Sequence, residues 1–247
     1  MRIREQLLKT KEEVDRKKIK FDNRLKEATQ IELIFVASNF EGLTLSQEEA
    51  ETIVKNPQLE IPLDNKNLLQ AKGQKEILDY IENSLIPGVL PIDIYLIKNF
   101  HKMLFEKVWP EVAGEWRQEN IEFKFTRYLP PHYLKIPEEM FFFDNFLLNG
   151  QKNLNNNLLQ ILEFATISFH EFLRIHPFRD GNGRIARFLF NSILRKFDLP
   201  YVIIPKAGTR RNFLQALEEA DFGKKEKLIE MMMGFLLESF EFLLKNK

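Results

Sequence analysis

The chain has 247 residues, 44% hydrophobic and 29% charged, with 23 Phe against 10 Gly, the composition of an ordinary globular protein rather than a disordered or fibrous one. Lys plus Arg and Asp plus Glu balance at 36 each, so there is no surplus positive field to attract nucleic acid or an anionic membrane, and neither is expected as a partner. No stretch approaches the ~20 apolar residues of a membrane span, and the charged start lacks the apolar segment of an export signal. With no cysteine, disulfides and thiol catalysis are excluded and a reducing, cytoplasmic setting is expected.

Residues 5–27 are densely charged with scattered Leu7, Leu8, Val14 and Ile19, which reads as a solvated helix lying across the rest of the molecule. Residues 28–40 turn apolar (Ile31, Leu33, Ile34, Phe35, Val36), and a helix is expected to end at Asn39-Phe40-Glu41-Gly42, the glycine supplying a left-handed cap. Ser46 followed by Glu49 has capping-box spacing and starts a short helix, closed by the Pro57–Pro62 stretch. Helices follow over 68–85 and 93–108, the second opened by Pro91-Ile92-Asp93.

Residues 121–126 (Ile-Glu-Phe-Lys-Phe-Thr) alternate apolar and polar before Pro130-Pro131, the one convincing strand pattern. Apolar helices are then expected over 155–175, 184–197 and 214–244. The Phe-rich runs 141–146 and 235–242 have helical spacing and are read as packing. The predicted class is all-α with one small β excursion.

The chemistry concentrates between two of these helices, at His176-Pro177-Phe178-Arg179-Asp180-Gly181-Asn182-Gly183-Arg184. Pro177 forbids a continuous helix, so a tight loop must open onto a helix N-terminus. Gly181 and Gly183 are expected to take positive φ and let backbone approach a ligand, and the free N–H groups of the helix start make an anion nest suited to phosphate. Arg184 and Arg187, three apart, would clamp a polyphosphate from one side. Asp180 offers the hard oxygen that Mg²⁺ shares with phosphates. His176, at the loop entrance, can take a proton from a hydroxyl. Base, metal ligand and phosphate clamp within twelve residues are what an in-line phosphoryl or nucleotidyl transfer needs.

The run His176 to Arg187 also resembles the Fic family motif His-x-Phe-x-(Asp/Glu)-Gly-Asn-Gly-Arg-x-x-Arg, matching every fixed position. The resemblance extends to residues 101–104, to Ala113-Gly114-Glu115-Trp116-Arg117, to the strand pattern before Pro130 and to residues 210–214. It implies a Fic-type helical bundle with a small β-hairpin flap, divided into an N-terminal helical region (1–66) and a Fic domain (67–247). It further implies an adenylyltransferase that moves AMP from ATP onto a Tyr, Thr or Ser hydroxyl of a target protein or of itself, with removal of AMP open to the same site.

By that resemblance His176 is the base, Asp180 holds Mg²⁺, and Gly181, Asn182, Gly183, Arg184 and Arg187 bind the ATP phosphates, while Phe178 anchors the loop. Ile121, Glu122, Phe123, Lys124 and Phe125 would form the flap that pairs with an extended target segment. Residues 37–42 are similar to the family's inhibitory motif (Ser/Thr)-x-x-x-Glu-(Gly/Asn), with Ala37 at the Ser/Thr position and Ser38 one residue later; Glu41 would pair with Arg187 and block the γ-phosphate. The kinase-type Doc toxins carry Gly-Asn-Lys where this chain has Gly-Asn-Gly.

Three rivals stay open: a nucleotide-binding regulatory module, a transferase using another phosphate-containing donor, and, for Glu41, a plain surface carboxylate. At a helix C-terminus that carboxylate is unfavourably placed against the dipole. His170-Glu171 lacks the second His of a zinc motif because position 174 is Arg, so His170 is expected to be a satisfied structural histidine. His101 and His132 offer no metal spacing. The target protein is not legible in the sequence, and a homo-oligomer is compatible with it.

Overall fold

The computed structural model describes residues 2–19, 21–85, 90–123, 127–205 and 208–246. In chain order the helices are α1 (Arg2–Arg16), α2 (Asn23–Phe40), α3 (Gln47–Lys55), α4 (Lys66–Tyr80), α5 (Ile94–Phe105), α6 (Ile136–Asn153), α7 (Leu158–Ile175), α8 (Asn182–Lys196), α9 (Arg210–Asp221) and α10 (Glu226–Lys245). The last turn of α4 widens into a π-type segment, Ile81–Leu85. Among the described residues there is no strand, and no helix is long and apolar enough to cross a membrane.

Local signals set most boundaries. Asp22, Asn65, Asp93 and Asn157 each accept a backbone N–H at the start of their helix, satisfying donors that would otherwise be orphaned. Ser46 and Glu49 close a reciprocal capping box on α3. The charged run 5–27 is interrupted: α1 stops at Arg16 and Asp22 caps a new helix. The expected single charged helix is therefore two, because a cap outweighs continuous charge patterning. α1 buries only Leu7 and Val14 and lies along α10.

At the centre, α7 and α8 pack against each other, joined by the six-residue loop 176–181, so they run antiparallel. α8 is buried all round, including Arg184, Arg187 and Arg195. A helix enclosed on every side must find partners for such charges. Arg195 donates to Glu82 (2.9 Å) and to the Leu199 carbonyl (2.7 Å), and Glu82 also takes Lys26 of α2 at 2.7 Å. α2 thereby joins the central helix through the π-type segment, and one hydrophobic core runs from Leu7 to Leu243.

Two expectations change. Residues 121–123 carry no strand, and 124–126 lie outside the described residues; an alternating pattern makes a ladder only when a neighbouring strand supplies the other half. In the Phe run on α6, Phe143 is buried but Phe141 and Phe142 are 60% and 59% exposed, since six consecutive positions of a helix cannot all face one core.

α4 and α5 meet at Gly73, where an added Cβ would lie 2.5 Å from the Met103 carbonyl oxygen. Helix propensity alone favours Gly73→Ala by about 1 kcal/mol. The backbone contact reverses the sign, and an overpacking loss of about 1–3 kcal/mol is expected. Urea unfolding of the variant checks this, and a raised midpoint would contradict the close approach.

Candidate active site

The loop between α7 and α8 is held from inside. Phe178 is fully buried and stacked on the His101 ring (centroids 3.7 Å, interplanar 7°). Asn182 staples the loop: its Oδ1 accepts the Phe178 N–H at 2.9 Å and its Nδ2 donates to the Phe178 carbonyl at 2.7 Å. Gly181 has φ +79°, and a Cβ there would come within 2.6 Å of the Phe105 ring, so both backbone angle and space demand glycine. Gly183 is different: it is helical, not left-handed, and its missing Cβ makes room for the Glu41 carboxylate, whose Oε1 would lie 2.3 Å away. The first backbone bond closing on α8 runs from the Ile185 N–H to the Gly181 carbonyl (2.9 Å). The N–H groups of Asn182, Gly183 and Arg184 precede it and have no acceptor within the helix.

His176 caps α7 in the left-handed region, φ 50°, ψ 59°, a conformation uncommon outside glycine and asparagine. Its Nδ1 lies 3.2 Å from the Leu173 carbonyl, which can only accept, so Nδ1 carries the proton and Nε2 keeps a free lone pair. Burial pushes the imidazole down to about 4, more than offsetting the Leu173 hydrogen bond. The ring is neutral near pH 7 and packs edge-on against Phe123 at 4.8 Å.

His176 opens on a cavity of about 240 Å³. Glu41, Gly183 and Arg187 lie on its wall with apolar Phe169, Leu173 and Phe213. Glu41 Oε1 is 2.6 Å from Arg187 Nη1. Burial raises the Glu41 carboxyl, but the charge and hydrogen bond of Arg187 outweigh it and hold the group below the usual carboxylate range. Arg187 is fixed by its Nε donating to the Ile204 carbonyl at 2.6 Å and lies over the Phe40 ring at 4.5 Å, with Arg210 on the same ring at 4.3 Å. The hydroxyl displaced to Ser38 is fully buried and accepts from Gln74 Nε2 at 2.8 Å, tying the last turn of α2 to α4 one residue later than the family pattern.

Not every expected residue faces the cavity. Arg184 is 1% exposed: it donates to Gln70 Oε1 at 2.6 Å, lies over Phe105 and reaches Asp180 Oδ2 only at 3.5 Å. It differs from the expected two-arginine clamp because the path on its side of α8 is filled by α4 and α5. The Asn182 side chain is likewise occupied by the loop, leaving its backbone N–H. Asp180 is more than half exposed, with Oδ1 accepting the Gly181 N–H at 2.6 Å. Among the described residues no group of three or more His, Asp or Glu is arranged around a metal. A lone, solvent-facing carboxylate beside an anion nest fits a Mg²⁺ shared with phosphates rather than a closed cage.

Sequence reading missed the supports. His101 is fully buried, its Nδ1 accepts the Gly114 N–H at 2.9 Å and its Nε2 donates to the Asp180 carbonyl at 3.1 Å; burial lowers it to about 3. His170 is structural as expected, bonded to Asp221 at 3.0 Å. Burial opposes its charge, but Asp221 and Glu171 prevail and raise it. His101 is marked only by the resemblance of residues 101–104, and His170 by the arginine at position 174 where a zinc motif needs its second histidine.

Fold and loop together define an all-helical architecture among the described residues, with the open N-terminus of α8 beside a neutral imidazole. A model of the Fic/DOC family matches residues 91–194. The chain is 30% identical over 193 residues to protein adenylyltransferase Fic of Nematostella vectensis, covering 77% of this chain and 43% of that protein. Fic-1 from C. elegans shares its fold with TM-score 0.81 at 21% identity, over 99% of this chain and 72% of that one. A Fic domain containing signaling protein from Bacteroides thetaiotaomicron does so with TM-score 0.76 at 19% identity, over 99% and 94%. Residues 91–194 carry the Fic/DOC domain, and the chain is similar over most of its length to these Fic proteins. It spans less than half the length of the curated relative.

The two depressed histidines make a pH prediction. Folded His101 and His176 resist protonation down to about 3 and about 4, whereas unfolded imidazoles titrate near 6.5. Below that value the unfolded chain binds more protons, so their contribution is complete above about pH 6.5 and is lost as pH falls toward 4, by up to about 1.4 kcal/mol per pH unit per group. Urea midpoints should fall between pH 7 and 5, with a shallower slope in His101→Gln; equal slopes would contradict the assignment.

Proposed function

We propose that the chain is a protein adenylyltransferase that moves AMP from ATP onto a Tyr, Thr or Ser hydroxyl, restrained by Glu41. The observation that carries this reading is the meeting, on one cavity, of an imidazole with a free Nε2 lone pair, an open helix N-terminus, and a guanidinium closed off by a carboxylate. The curated relative's name, protein adenylyltransferase, supports it.

In this reading the triphosphate lies on the N–H groups of Asn182, Gly183 and Arg184, with Gly181 keeping the turn low enough for approach. The acceptor oxygen attacks the α-phosphorus while the bond to the α–β bridging oxygen breaks and pyrophosphate leaves. His176 Nε2 takes the hydroxyl proton. Asp180 would hold Mg²⁺, which when bound neutralises phosphate charge. Arg187 receives the terminal phosphate once Glu41 withdraws, exchanging one charge-assisted bond for another. The acceptor segment is presented by residues 121–125 (Ile121, Glu122, Phe123, Lys124 and Phe125), of which Phe123 packs edge-on against the His176 ring. The N-terminal region 1–66 serves as the regulatory part because it supplies Glu41.

Incubation with ATP labelled at the α or the γ position, with Mg²⁺, tests the reaction class. Label from the α position on protein is expected; γ label would mean kinase chemistry, and ATP binding with neither a regulatory module. His176→Ala should lower transfer by about 10²–10⁴-fold with ATP binding retained. Glu41→Gly should raise AMP incorporation, and adding Arg187→Ala should cancel most of that gain, since both residues act through one interaction. Equal incorporation by wild type and Glu41→Gly would remove the restraint from the reading.

A further inference from the structure

Arg117 is 3% exposed, and its guanidinium has a use for each nitrogen. Nε donates to the His176 carbonyl at 2.9 Å, Nη1 to the Glu119 carbonyl at 2.8 Å, and Nη2 to the Pro131 carbonyl at 2.6 Å. Its own backbone N–H donates to the Pro177 carbonyl at 2.8 Å. One local carbonyl and two from further along the chain thus converge on one planar group: both ends of the 119–131 segment and the residue that bears the imidazole. A second tie closes the same segment, the Tyr133 N–H donating to Asn120 Oδ1 at 3.0 Å.

The acceptors matter as much as the donor. The carbonyl of a left-handed residue points away from the helix it terminates, so His176 cannot satisfy it within α7. Arg117 takes that carbonyl and, through its N–H, the next one at Pro177. The peptide planes that set the direction of the His176 side chain are therefore fixed from outside the loop. A guanidinium can do this because its donors diverge in one rigid plane, whereas an ammonium on a flexible stem cannot reach three separated carbonyls in a defined geometry.

We propose that Arg117 is a positioning residue that sets the distance and angle between the acceptor-presenting segment and His176 Nε2. This rests on the transferase reading above. Removing Arg117 leaves the α8 nest, Arg187 and Glu41 untouched, since none of them bonds to it. It releases the His176 carbonyl from the segment and leaves the segment's two ends joined only by the Tyr133–Asn120 bond. Misplacement of about 1 Å between reacting groups costs on the order of 10²-fold in rate.

The test uses Arg117→Lys and Arg117→Met in the full chain carrying Glu41→Gly, assayed where circular dichroism shows each variant folded. At saturating ATP, AMP transfer from α-labelled ATP onto the chain itself and onto lysate proteins should fall on the order of 10²-fold in both variants. The ATP dissociation constant should stay within about twofold, because positioning acts on the reacting geometry and not on nucleotide affinity. Lysine should not rescue. In ¹⁵N spectra of the four histidine rings, the His176 signals should shift while those of His170 stay in place, and trypsin should cut faster at Arg127, inside the released segment. Transfer retained in either variant, or lost in step with ATP affinity and with movement of His170, would overturn the proposal. If the Glu41→Gly parent transfers no AMP, it is the transferase reading that fails; the histidine spectra and the cleavage rate still decide whether Arg117 joins the segment to His176.

Discussion

Everything in this molecule is arranged around a fully enclosed helix that carries three guanidinium groups. Burying a charge without a partner costs several kcal/mol, so each arginine of α8 dictates an acceptor elsewhere. Arg195 draws Glu82 from the π-type segment, Arg184 draws Gln70 from α4, and Arg187 draws Glu41 from the cap of α2. Those acceptors all precede the motif in sequence. The first third of the chain is joined to α8 by charge as well as by the shared core.

The three pairs are not equivalent. Arg184 and Arg195 are closed on all sides, and their partners complete the interior. Arg187 stands at the cavity, and the Glu41 side chain keeps a quarter of its surface exposed. A carboxylate at a helix C-terminus gains nothing from the helix dipole, and the attraction of a largely buried ion pair does little more than offset the desolvation of its two charges. Its position is better explained by the guanidinium it occupies than by any contribution to folding. The anchoring of the α2 end by Ser38 and Gln74, and the stacking of Phe40 between Arg187 and Arg210, hold the carboxylate in place without using the cavity itself.

The loop shows the same division between supporting and working groups. Phe178, His101 and the Asn182 side chain turn inward and consume their hydrogen bonds within the fold, leaving Asp180, the α8 N–H groups and His176 Nε2 outward. A neutral His176 at ordinary pH follows from its burial, and a defined tautomer follows from Leu173. Pre-set protonation and direction of this kind are what preorganised sites require.

Much of this was legible in the order of residues. Helix starts at Ser46 and Asp93, the stop at Gly42 and the break at Pro177 are local events, decided by residues acting on their own backbone within four positions, and the cap at Asp22 that splits the charged run is of the same kind although charge patterning hid it. The motif from His176 to Arg187 is equally local, and its loop, helix start and imidazole lie where the spacing puts them. What tertiary structure decided is everything that depends on a partner from another segment. Arg184 and Arg187 sit three residues apart on one helix, yet Gln70 and Phe105 take the first while Glu41 and the cavity receive the second. Residues 121–123 alternate like a strand but find no ladder to join. Arg117 reads as one more charged residue until the carbonyls of Pro131 and His176 meet it from distant positions. Periodicity and capping are written into neighbours along the chain; the partner of a buried charge is fixed only when the packed helices close around it.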